Sequence, residues 1–289
     1  MRFAALALLS VTLLAACAAG SVSPATAAAK GKTKTQASSK KPTRVPQASA
    51  LGAGNVDRLK KAWEVAAGGY GRAVAVSSRL GRIAFANKEG VEIFALGSGK
   101  SLAKFQPCRD VVRGGLGFHA GNLVVVCEKA VVVLEAQKLG PRPDPGVHAS
   151  RITAASLVGA RLALGHHDGV IRVYGLDGSP TVEVRVPGPP IDVKSLTLSR
   201  DGSRLGVAWV QGSVWWWDLA KPAEFHDLVR NDKESDALAF SEDGSLLAEE
   251  GAANTTTLWE LAPAHVAKAK LKNGNWVKRI LFTRDGKWL

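Results

Sequence analysis

The leucine that follows each Asp-Gly turn falls at Leu205, Leu247 and Leu289, two steps of 42 residues. The same frame runs back through Leu162, Leu123 and Ile83 in steps of 43, 39 and 40 residues. A period of this size admits few folds. Each repeat is a small supersecondary unit that cannot bury its own apolar surface, so a core exists only where neighbouring repeats stack.

Inside a repeat the pattern is that of strands. Leu196 and Leu198 alternate with polar residues, Asp201-Gly202 supplies a turn, and Leu205, Val207 and Trp209 alternate again. Gln211-Gly212 then turns the chain into Val214-Trp215-Trp216-Trp217, and Asp168-Gly169 and Glu89-Gly90 hold that turn in other repeats. Third strands opening at Val91, Val131, Val170, Val214 and Thr256 keep the rhythm. A more polar fourth strand comes next, as in Thr181 to Val186. Four strands in about 42 residues describe a propeller blade.

The residues at these positions resemble the WD-repeat family. Trp217-Asp218 is its signature dipeptide, Trp259-Glu260 a near copy, and the Ser-x-Asp-Gly turn recurs at Ser199 to Gly202 and Ser241 to Gly244. The resemblance covers Leu59 to Leu289 and implies an all-β fold, a β-propeller of four-stranded antiparallel blades. The family's Gly-His pair is missing, so its buried Asp–His–Ser/Thr–Trp network is not carried over. Phe94-Ala95 and Leu134-Glu135 match the Trp-Asp position by spacing only. Five blades and the start of a sixth are expected, with a seven-bladed complete protein, or six-bladed as the alternative. Leu59 to Val65 reads as a lone fourth strand of the kind that fastens a ring and hides its open sheet edges.

Ahead of the repeats the chain reads as targeting sequence. Arg2 precedes the apolar run Phe3 to Ala16, too short for the roughly 20 residues of a spanning helix and suited to an export signal. Leu14-Ala15-Ala16-Cys17 resembles the bacterial lipobox, which makes residues 1–16 a signal peptide and Cys17 the lipidated N-terminus of a membrane-anchored lipoprotein. Ala18 after the cysteine resembles outer-membrane sorting if the host is Gram-negative, with the protein facing the periplasm. Ordinary secretion, with cleavage after Ala25-Thr26-Ala27, is the alternative. Residues 17–55 are Ala, Ser, Thr, Lys and Pro, a tether with too little apolar surface to fold, and residues 56–289 carry the propeller.

The formal charge of +13 concentrates at this N-terminus. Arg2, Lys30, Lys32, Lys34, Lys40, Lys41 and Arg44 precede the first acid, Asp57. The chain beyond Asp57 is only mildly basic and lacks an aromatic-plus-arginine stacking platform, so nucleic acid is not an expected partner.

Most chemistry-bearing side chains have a packing explanation. Trp215, Trp216 and Trp217 fit a strand covered on both faces. His166-His167-Asp168 occupies a tight turn, where neighbours rarely converge on one metal, and His119, His148, His226 and His265 lack ligand spacing. Glu249-Glu250 reads as surface. No nucleophile-elbow or zinc-protease motif occurs, nor a phosphate loop. Cys108, in a loop before a first strand, and Cys127, ending the second strand of the same repeat, lie on one face of a blade and can form a disulfide; two separate thiols are the alternative.

The expected function is a non-enzymatic protein-interaction scaffold of the cell envelope, without cofactor, whose protein partner the sequence does not name. Its rivals are a propeller enzyme, quinoprotein-like or lyase-like, and a propeller lipoprotein that assists outer-membrane assembly.

Overall fold

The computed structural model describes residues 63–64, 71–135, 141–142, 150–185, 191–230, 234–251, 254–262, 265–273, 277, 279–283 and 289. The chain divides into two units, Met1–Arg58 and Leu59–Leu289, and every described residue belongs to the second. Cys17, the signal peptide and the tether therefore lie outside the described residues. So does His148, and so do all of Leu59 to Val65 except Trp63 and Glu64.

Among the described residues all helix or strand structure is β, in sequential antiparallel meanders of four. The first comprises β1 (Ala73–Ser77), β2 (Arg82–Asn87), β3 (Gly90–Ala95) and β4 (Ser101–Phe105). The second comprises β5 (Val111–His119), β6 (Asn122–Cys127), β7 (Val131–Glu135) and β8 (Pro141–Arg142). The third holds β9 (Ile152–Val158), β10 (Arg161–His166), β11 (Val170–Gly175) and β12 (Val182–Arg185). The fourth holds β13 (Val193–Leu198), β14 (Arg204–Trp209), β15 (Ser213–Asp218) and β16 (His226–Arg230). The fifth holds β17 (Leu238–Phe240), β18 (Leu246–Gly251), β19 (Thr255–Glu260) and β20 (Val266–Lys272). A single parallel bridge, Arg113 to Ala154, joins β5 to β9 and makes the second and third meanders one hydrogen-bonded sheet.

The sequence period is a register in three dimensions. Ile83 pairs with Phe94, Leu123 with Leu134, Leu162 with Tyr174, Leu205 with Trp217, and Leu247 with Trp259. In every meander the residue that defines the repeat thus faces the position of the signature aromatic on the next strand. Cross-strand pairs of this kind set the register, because a one-residue slip would reverse every side chain.

The second strands β6, β10 and β14 are covered on both faces. In β10 and β14 every residue after the first is buried, which is why Leu164 and Ala163, or Val207 and Ala208, are all enclosed although they point to opposite sides. Burying a leucine in this way stabilises by about 1.5–3 kcal/mol. Fourth strands are different: β20 is exposed along nearly its whole length and carries Lys268, Lys270 and Lys272. Charged side chains on an edge strand discourage pairing with another chain.

The Ser-x-Asp-Gly turns are built alike in the fourth and fifth meanders. Ser199 Oγ donates to Asp201 Oδ1 at 2.6 Å and accepts the Arg204 N–H at 2.9 Å, while Asp201 accepts from the backbone and hydroxyl of Ser203. Ser241, Asp243, Ser245 and Leu246 repeat each of these bonds. Gly202 and Gly244 both have φ of 71°, a conformation that favours glycine. Arg200 Nε reaches Glu242 Oε1 at 2.7 Å, so the same turn position in two successive repeats carries opposite charges that pair.

First strands lie side by side. β5 neighbours β1 and β9, and β13 neighbours β9 and β17.

Candidate functional site

The first strands line one cavity of about 590 Å³. Each of the five contributes to its wall, and so do Arg279, Ile280 and Leu281 beyond the fifth meander. Small residues at or beside the first strands, Ala73, Gly114, Ala154, Ala155 and Ala237, leave space beside the larger Val74, Leu196 and Leu238. Gly114 is the tightest point. With φ of 70°, a β-carbon there would stand 2.1 Å from the carbonyl oxygen of Ala155, so a side chain would push β5 and β9 apart.

Charged residues recur just before the start of each first strand, and of these Arg72 and Asp236 line the cavity. Arg72 precedes β1, Asp110 precedes β5, Arg151 precedes β9, Asp192 precedes β13, and Glu234 and Asp236 precede β17. Ion pairs join these positions between meanders: Arg72 to Asp110 at 3.8 Å, Arg151 to Asp192 at 3.7 Å, and Lys194 to both Glu234 and Asp236. Most of these side chains are partly exposed, so each pair stabilises little.

One pair runs differently. Arg113 of β5 extends its Nη1 to Asp236 Oδ1 at 2.8 Å and to the Asp236 carbonyl oxygen at 3.2 Å. It links the second meander to the fifth. Asp236 is held in turn by its own N–H, which donates to Glu250 Oε2 at 3.0 Å. Arg72, Arg113, Asp236 and Arg279 all line the cavity. Among the described residues Arg279 makes no ion pair.

The histidines and tryptophans singled out by sequence separate into different environments. His166 is fully buried, its Nδ1 bonded to the Val170 carbonyl at 3.0 Å, whereas the exposed His167 pairs with Asp192. The two imidazoles take separate partners. Trp217 is fully buried and Trp216 nearly so. Trp215 is half-buried and stacks on Phe225 with ring centroids 4.6 Å apart.

The cysteines meet. Val111 pairs with Cys127 in the β5–β6 ladder, which brings the segment holding Cys108 alongside, and Cys108 and Cys127 are joined by a disulfide with Cα atoms 6.2 Å apart.

Glu249 corrects the surface reading. It is 1% exposed in β18, set opposite Leu238 on one side and Thr257 on the other. A strand end that reads as surface in sequence is enclosed here because β18 is the second strand of its sheet, flanked by β17 and β19.

Sequence spacing also missed a ring cluster. His226 at the start of β16 stacks on Trp216 at 4.3 Å and lies 4.6 Å from the ring of His265, just before β20. Burial, and secondarily the neighbouring His265, lower the His226 pKa below the ordinary histidine value. Arg204 lies over the Trp216 ring at 5.6 Å. The two histidines are 39 positions apart, close to the repeat length, and that spacing is the signal that would have found them.

Among the described residues no group of three or more His, Cys, Asp or Glu side chains is gathered to hold a metal, and no helix is long and apolar enough to cross a membrane. Compared with known proteins, the chain matches no family model and no curated protein.

Proposed function

We propose that the chain is a β-propeller of the WD-repeat type that acts as a non-enzymatic interaction scaffold of the cell envelope. The observation that carries this reading is that the first strands of all five meanders border one cavity. Sheets arranged radially about a common axis would bring first strands together in this way. A disc built this way would be rigid, since β6, β10 and β14 are buried on both faces, and its loops would be held in fixed positions on two surfaces. That suits it to presenting contacts to a protein partner.

The reading places the disc outside the cytoplasm, anchored through a lipid on Cys17 and lifted off the membrane by the tether of residues 17–55. The Cys108–Cys127 disulfide supports an oxidising compartment. Two experiments test it. Affinity capture from envelope extract with the full chain should return a protein partner, and a bound chromophore would instead indicate an enzyme. Labelling with a palmitate analogue should mark the wild type and leave Cys17→Ser unlabelled as precursor; a normally processed, soluble Cys17→Ser protein would mean ordinary secretion.

A further inference from the structure

From the arginines of this cavity we infer that it is a binding site for a small organic anion bearing carboxylate or phosphate. This goes beyond the scaffold reading and does not depend on it. Three arginines, Arg72, Arg113 and Arg279, are among the residues lining the cavity, against one acidic residue, Asp236. Positive charge in excess within a concave wall concentrates field and draws anions inward.

The three arginines are only lightly committed to protein partners. Arg279 has no acidic partner among the described residues. Among the described residues the Arg72 side chain has one acidic contact, to Asp110 at 3.8 Å, with both side chains more than a third exposed. Arg113 uses one nitrogen, Nη1, for both of its contacts to Asp236. Its Nε–Nη2 edge has no protein partner among the described residues. That edge presents two parallel N–H groups, the geometry that takes a carboxylate or phosphate through two bonds at once. Arg113 is thus oriented by Asp236 and still open to a ligand.

The remaining wall fits the same occupant. It is mostly apolar, small residues standing beside the larger Phe85, Leu196, Leu238, Ile280 and Leu281, and it carries the polar Ser195. A volume of about 590 Å³ lies within the usual range for small-molecule sites, roughly 300–1,000 Å³. The Arg113–Asp236 pair links the second meander to the fifth, which favours a small molecule over a folded surface.

The test is calorimetric titration of the purified full chain at constant ionic strength with citrate, inorganic phosphate and, as a cationic control, spermidine. Saturable one-site binding of citrate or phosphate is expected, and none of spermidine. The stronger of the two anions distinguishes a carboxylate ligand from a phosphate ester. Arg113→Met and Arg279→Met should each weaken binding about tenfold, the loss of one charge-assisted contact. Asp236→Asn should tighten it severalfold by removing the competing carboxylate. Glu242→Gln makes the same charge change at a turn outside the cavity and should leave affinity unaltered. Absence of saturation with both anions would overturn the proposal. So would equal effects of Asp236→Asn and Glu242→Gln, which would mean general electrostatic attraction. Melting curves check that each variant is folded, and if Asp236→Asn is not, the two arginine variants decide. A failure to capture a protein partner would leave this result standing.

Discussion

Arg113 and Asp236 are 123 residues apart in the chain and 2.8 Å apart in the fold, Nη1 to Oδ1. The arginine belongs to the second meander and the aspartate to the fifth, so this bond reports on the arrangement of the whole molecule where the strand ladders report on single sheets. It also places an oriented guanidinium in the wall of the cavity.

The bond should register as a coupling in a double-mutant cycle. Arg113→Ala, Asp236→Ala and the double variant, unfolded in urea, are expected to give an interaction energy on the order of 1 kcal/mol. That is modest because Arg113 is 43% exposed, although Asp236 is only 15% exposed. A coupling indistinguishable from zero would mean that the contact between Arg113 and Asp236 adds nothing to stability.

Gly114 should tolerate no side chain. In Gly114→Ala the new methyl group meets the Ala155 carbonyl, and the φ of 70° is strained for alanine as well. We expect a loss of about 1–3 kcal/mol in stability from backbone strain, and more if the β5–β9 contact separates. Gly121→Ala is the control, since that glycine has a similar φ of 84° and open space around it. Equal losses in the two would show that the close approach to Ala155 contributes nothing.

The disulfide closes a loop with a sequence separation of 19 residues. In the chain-entropy account a loop of that size stabilises by on the order of 3 kcal/mol. Cys108→Ser, Cys127→Ser and the wild type under reductant should therefore unfold at similar, lower urea concentrations. Thiol titration of the unfolded protein without reductant should find neither of the two sulfurs free.

Acid should weaken the fold in two separate windows. Asp243 is held at a pKa of about 2, below its ordinary 3.8, first by the Ser241 hydroxyl and then by the N–H and hydroxyl of Ser245. A lowered carboxylate pKa stabilises the folded state above pH 3.8, and that contribution disappears as pH falls towards about 2. His226 is also lowered, from 6.5, by burial and by His265. The unfolded chain then binds a proton that the folded chain resists, so stability begins to fall as pH drops below the histidine's ordinary value. Urea unfolding measured across pH should show both slopes. Ser241→Ala should flatten the lower one and His226→Leu the upper one, and an unchanged profile in either variant would contradict its assignment.

Local features were legible in the chain because they depend on neighbours in sequence. The turn glycines and the strand period arise from steric limits on φ and from two-residue alternation. Cys108 and Cys127 could be placed on one face for the same reason, since they belong to one meander. Glu249 reads as surface in the chain because its burial comes from elements that its own strand does not announce. His226 and His265 are likewise inconspicuous until two successive meanders bring their rings to 4.6 Å.

What the amino-acid sequence by itself determined is therefore the repeating unit: strand order, turn chemistry and the residues that must be inside. What only the tertiary structure decided is the relation between units, above all the cavity and the ion pairs between meanders. Arg72, Asp110, Arg151, Asp192 and Glu234 recur ahead of successive first strands, and that rhythm can be seen in the sequence once its meaning is known. Which of them pair, and that Arg113 meets Asp236, cannot. An ion pair between distant repeats is set by the angle at which sheets pack on one another, and that angle is the sum of many apolar contacts with no local signature.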